Sequence, residues 1–151
     1  MRRFAALVVL SLAATGCMGG DDEGVSREDY IARADGVCGM FQVRLSRIPR
    51  PATGSPTELA TFLERALPIA REQGEELEDL PKPSDENARD QLEQLFALLE
   101  QELDFNEAAL DAAKEGDQAA LDSALQQGAA VSAEAGQVAE EFGFVVCARR
   151  T

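Results

Sequence analysis

Between residues 26 and 142, apolar side chains recur at spacings of three and four, and three breaker sites cut the pattern into four stretches: Pro49-Arg50-Pro51, Pro81-Lys82-Pro83 and Gly116-Asp117. That spacing puts apolar residues on one stripe of an α-helix and conflicts with the strict alternation of a half-buried strand. The chain is thereby restricted to an all-α fold, a four-helix up-and-down bundle. The first stretch begins at Ser26, a capping residue with Asp29 three positions on, and its seam is Ile31, Ala34, Cys38, Phe41, Leu45 and Ile48. It should run to Pro49, because the residue before a proline is pushed out of the helical region.

The second stretch opens with Ser55-Pro56-Thr57-Glu58, a cap followed by proline at the first helical position. Leu59, Leu63, Ala66, Ala70, Leu77 and Leu80 supply its stripe. Pro68 lies inside it, where a lost backbone bond and a ring clash cost about 3 kcal/mol, so a kink or break is expected near residues 64 to 68. Ser84 is the expected cap of the third stretch, with Asp85 and Glu86 where the helix dipole favours negative charge. Its seam is Ala88, Leu92, Leu95, Leu99, Leu103, Leu110 and Ala113, widened by Phe96. The fourth carries Leu121, Leu125, Gly128, Ser132, Ala135, Val138 and Phe142 on one face and is rich in small residues, which permit close helix approach. Gly143 is a natural C-terminal cap, and Phe144-Val145-Val146-Cys147 reads as an extended tail.

The N-terminus is an address. Arg2 and Arg3 precede an apolar run from Phe4 to Ala14, with no acid in the first sixteen residues, the layout of a secretory signal peptide. The run is shorter than the roughly 20 residues a spanning helix needs. Ala14-Thr15-Gly16-Cys17 then resembles the lipobox of bacterial lipoproteins, with Ala14 in place of the usual leucine. That resemblance implies cleavage before Cys17 and acylation of its sulfur. The Arg2-Arg3 pair fits a twin-arginine export signal poorly. The organisation expected is a signal peptide over 1–16, a lipidated Cys17 with a flexible tether over 17–25, and a helical domain over 26–151. Residues 18 to 25 are polar and glycine-rich, and at most roughly 30 Å long when extended, so the domain would stay close to the membrane.

Removal of the leader leaves 12 Lys+Arg against 28 Asp+Glu, a net charge of −16 where the full chain has −14. Such a chain is repelled by anionic head groups and by nucleic acid phosphates, so no nucleic acid partner is expected and membrane affinity falls to the lipid. Acyl chains supply about 0.8 kcal/mol per buried CH₂.

With Cys17 assigned to lipid, Cys38 and Cys147 remain, in a compartment that permits disulfides. An even number of antiparallel helices brings the end of the fourth beside the start of the first, so Cys147 can fold back to Cys38. A bridge there closes a loop of about 110 residues, with an entropic ceiling of roughly 4.7 kcal/mol. The pair lacks the Cys-x-x-Cys spacing that would mark a redox centre.

Histidine and tryptophan are absent, and Tyr30 is the single tyrosine. No Ser-His or Cys-His pair, His-ligated zinc or His-containing di-iron site can be built. Glu72, Glu75, Glu76, Glu78 and Asp79, and Glu100, Glu102, Asp104, Glu107 and Asp111, cluster on two helices and read as solvated faces. Asp21-Asp22-Glu23-Gly24 lacks the rest of a calcium loop. Neither a catalytic residue nor a cofactor or metal ligand is assigned. Two acids alone can perform acid/base work, but they need a concave pocket with positioning groups.

The segments Tyr30-Ile31-Ala32-Arg33-Ala34-Asp35-Gly36-Val37-Cys38 and Phe142-Gly143-Phe144-Val145-Val146-Cys147 resemble a group of small actinobacterial-type lipoproteins and secreted proteins. Those carry Tyr-x-x-x-Ala-Asp-x-x-Cys early and aromatic-Gly-x-x-x-Cys late. The resemblance implies a helical domain with paired cysteines and no activity. An excess of Arg over Lys, 12 to 2 across the whole chain, accords with a GC-rich bacterial origin. The function expected is a non-enzymatic interaction module, lipid-anchored on the outer face of the cytoplasmic membrane, binding an envelope partner. The alternative is a carrier of a small molecule or divalent cation, using a pocket at the Pro68 kink or the acidic faces.

Overall fold

The computed structural model describes residues 24–149, so the expected signal peptide, Cys17 and the expected tether up to residue 23 lie outside the described residues. Four helices follow in order: α1 (Arg27–Leu45), α2 (Pro56–Glu78), α3 (Glu86–Glu115) and α4 (Gln118–Phe142). No described helix is long and apolar enough to cross a membrane.

Each helix starts where a short polar side chain satisfies an orphan amide. Ser26, Ser55, Asp85 and Asp117 accept from the N–H three residues on, at 3.0, 3.3, 2.7 and 3.0 Å. The cap of α3 is therefore Asp85, one residue later than expected. Ser84 is engaged elsewhere, since its N–H donates to the Val25 carbonyl while the Val25 N–H donates to the Lys82 carbonyl, both at 3.0 Å. This parallel bridge joins the chain ahead of α1 to the α2–α3 connector. A Cβ on Gly24 would lie 2.5 Å from the Lys82 oxygen, so only glycine allows the approach. Residues 24 and 25 thus belong to the folded domain and shorten the expected tether.

Gly116 and Gly143 close α3 and α4 in the left-handed region, at φ 73° and 101°. By contrast α1 stops at Leu45 instead of running to Pro49. The amides of Arg47 and Ile48 close back three residues to Arg44 and Leu45 in a tightening turn. Helix α2 runs unbroken through Pro68. The proline is exposed, so its ring projects away from the packed face.

The α3–α4 hairpin is the most extensive pairing; α2 packs on α3, and α1 on α2. Because α1 is the shortest helix, it reaches only one end of the bundle. There Tyr30, Phe41, Leu92, Leu95, Ala135 and Phe142 form one core. At the other end α2, α3 and α4 alone enclose a second, around Leu63, Leu67, Ala109, Ala112 and Leu121. Small residues let α3 and α4 close up: a Cβ on Gly128 would stand 3.3 Å from the Phe105 Cβ.

The start of α1 meets the end of α4, as an even helix count requires. Arg27 donates to the Phe142 carbonyl from Nε and Nη2, at 3.0 and 2.8 Å, and its guanidinium lies 4.5 Å from the Phe142 ring centre. It satisfies the last carbonyls of α4 where the helix dipole attracts a cation. Tyr30 packs edge-on against Phe142, with centroids 6.1 Å apart, and Phe142 stacks on Phe144 at 4.7 Å.

Tyr30 is fully buried and its hydroxyl donates to the Leu77 carbonyl at 3.2 Å. Burial first, and the charge of Glu78 second, push its pKa up from 10.0 to about 12. The unfolded chain therefore ionises Tyr30 before the folded one does. Stability should be undiminished by this group below pH 10 and fall by about 2 to 3 kcal/mol as pH rises through the window from 10 to 12. Denaturant midpoints measured across that window should drop for the wild type, and the drop should shrink in Tyr30→Phe.

Candidate functional site

The two cysteines predicted to pair are bonded, with Cα atoms 5.2 Å apart across a sequence separation of 109. Cys38 faces inward on α1, one turn after Ala34 and one before Phe41. Cys147 arrives from the tail, which is a compact turn and not the extended segment expected. After the αL cap at Gly143 the chain bends through Val145 and Val146, and Arg149 N–H returns to the Val146 carbonyl at 3.1 Å.

What shapes that turn is Asp35. One carboxylate oxygen accepts the N–H groups of Val146 and Cys147, both at 2.9 Å, and the other accepts that of Val145 at 3.0 Å. Three successive amides converging on one anion form a nest, and bonds to a charged acceptor are worth roughly 1.5–3 kcal/mol each. Gln42 adds a second clamp, donating to the carbonyls of Val146 and Arg149 at 3.0 and 3.1 Å. Asp35, Cys38 and Gln42 lie at spacings of three and four, on one edge of α1. The Tyr-x-x-x-Ala-Asp-x-x-Cys pattern thus has a physical content. Tyr30 and Ala34 fill the core, Asp35 folds the tail and Cys38 locks it.

Where α1 ends and the two cores part, a cleft of about 300 Å³ opens between the helices. Leu45 of α1, Phe62, Leu63, Ala66, Leu67 and Ala70 of α2, and Leu99 and Leu103 of α3 make it apolar. Its polar members are Gln42, Gln73, Glu102, Asn106, Ser132 and Arg149. Gln73 Nε2 stands 3.3 Å from Cys38 Sγ, and Asn106 donates to the Glu102 carbonyl at 2.8 Å. The disulfide forms part of the wall, so the bridge that staples the tail also fixes one side of the opening. An added Cβ on Gly74, which lines it from α2, would meet no atom within 4 Å.

The carrier alternative expects a pocket at a Pro68 kink or binding on the acidic faces. The cleft instead uses the opposite face of the same helix, and Pro68 is not in its lining. Of the two acidic clusters, Glu72 pairs with Arg44 at 2.6 Å and Glu107 pairs with Arg71. The Arg44 hydrogen bond lowers the Glu72 pKa. Glu102 alone of these acids lines the cleft. Among the described residues no three Cys, Asp or Glu side chains converge as an ion-binding set. Cys17, the residue assigned to lipid, lies outside the described residues. Comparison with known proteins returned no match to any family model, any curated protein or any solved structure.

Proposed function

We propose that the chain is a lipid-anchored, non-enzymatic binding module on the outer face of a bacterial cytoplasmic membrane, and that the cleft is its binding site. The observation that carries the binding reading is the cleft: about 300 Å³ of apolar wall with polar groups among its lining, the size and character of a small-ligand site. An uncharged apolar molecule, or an apolar side chain offered by an envelope partner, matches such walls. The lining offers one carboxylate and one hydroxyl, and the chain has no histidine, which supports binding over turnover. Support for the anchor comes from the lipobox-like Ala14-Thr15-Gly16-Cys17 and the apolar leader ahead of it.

The carrier alternative is favoured by the same cleft in its small-molecule form. A cation carrier has no comparable support, because the acids of the two clusters that lie outside the cleft are exposed or paired across helices.

Gly74→Leu tests the assignment. Its Cβ would meet no atom within 4 Å at the cleft wall, and replacing an interior helical glycine gains up to about 1 kcal/mol of helix propensity. The full chain in detergent should bind a neutral solvatochromic dye saturably at one site. Gly74→Leu should keep or raise the thermal midpoint while weakening that binding at least tenfold. Equal binding by both proteins would exclude the cleft as the site.

A further inference from the structure

Helix α1 exposes two large apolar side chains on its outer side. Its inner face buries Tyr30, Ala34, Val37 and Phe41, yet Met40 and Val43 on the outer face are 57% and 54% exposed. A surface helix ordinarily turns a polar face to water. At 3.6 residues per turn Asp29, Gly36, Met40 and Val43 fall within about 60° of arc, and Arg47 follows Val43 in the turn that extends the helix. The face is thus apolar in the middle, with Asp29 at one end, Arg47 at the other and the exposed Arg33 on its border. Asp29 and Arg47 are both exposed and make no ion pair with another described residue.

We propose that this face binds a second copy of the chain, with the two α1 helices antiparallel about a two-fold axis at the level of residue 38. The register follows from two independent complementarities. Asp29 and Arg47 lie nine residues either side of that level, so each Asp29 meets the other copy's Arg47, twice over, as an isologous interface requires. Gly36 and Met40 lie two residues either side, so each methionine enters the space over the opposing glycine. An added Cβ at Gly36 meets nothing within 4 Å, so that space is open. A parallel pairing would set Asp29 against Asp29 and Arg47 against Arg47. The interface centres on one helix pair and is small, so the dimer is weak, with a dissociation constant on the order of tens of micromolar. The site is separate from the cleft, and either can fail without the other.

Sedimentation equilibrium of the full chain in density-matched detergent, from 5 to 500 µM, is the test. The protein mass per micelle should rise from one copy to two across that range. Gly36→Leu should weaken the dimer at least tenfold with an unchanged or higher thermal midpoint, which separates loss of docking from loss of fold. Asp29→Arg and Arg47→Asp should each weaken it several-fold, and the double variant should restore it. A wild type that stays single at 500 µM overturns the proposal, including the case in which another envelope protein or lipid takes the face. So does a dimer indifferent to Gly36→Leu, or one that the double charge swap does not restore.

Discussion

Replacing both Cys38 and Cys147 by alanine should lower the unfolding free energy by about 2–4 kcal/mol and the thermal midpoint by about 10 °C, with helical circular dichroism retained. The ceiling is set by the loop: freeing a loop of roughly 110 residues returns at most about 4.7 kcal/mol of entropy to the unfolded chain. The loss should fall short of that ceiling because the tail has other attachments. Asp35 still accepts three tail amides, Gln42 still holds the carbonyls of Val146 and Arg149, and Phe144 still stacks on Phe142. These groups keep the turn in place without the bridge. Adding Asp35→Ala to the alanine pair should therefore release the tail, seen as fast hydrogen exchange at Val145, Val146 and Cys147. If the double-cysteine variant alone exchanges those amides at unprotected rates, the nest does not hold the tail by itself.

The second large effect is at Cys17, where serine should move the protein from the membrane fraction to the soluble one almost completely. Two acyl chains of about sixteen carbons bring on the order of 20 kcal/mol of transfer free energy. Among the described residues nothing else supplies attraction, since the net charge of −16 left after leader removal repels anionic lipid and no described helix is long and apolar enough to cross a bilayer. Tight membrane retention of Cys17→Ser would contradict lipidation at that residue.

The fold was largely legible because its punctuation is local. Ser26, Ser55, Asp117, Gly116 and Gly143 each act on amides or carbonyls within a few residues, so their types and spacing suffice. Ser84 misled because the partner that claims its backbone, Val25, lies far away in sequence. Pro68 misled because the cost of an interior proline depends on which side its ring faces. Tyr30 does not stand out as core in the sequence, since its neighbour Ile31 fits the seam as well, and only packing of the start of α1 against the end of α4 buries one ahead of the other.

The site was less visible for the same reason. A three-four seam tells which face of a helix is buried and says nothing of how far its neighbour extends. The cleft exists because α1 stops at Leu45 while α2 and α3 continue, a mismatch of lengths that no single stretch encodes. Asp35 did carry a signal, being three residues before Cys38 and so beside it on the helix surface. A carboxylate next to a stapled tail is placed to collect that tail's amides.

Amide chemical shifts recorded while a neutral apolar probe is added to the isotopically labelled full chain test the central claim most directly. Saturable changes confined to residues 62–77 of α2, 99–106 of α3 and the Cys38–Leu45 end of α1, lost in Gly74→Leu, are the predicted result. Shifts absent at saturating probe, or spread evenly over the four helices, would contradict a binding cleft.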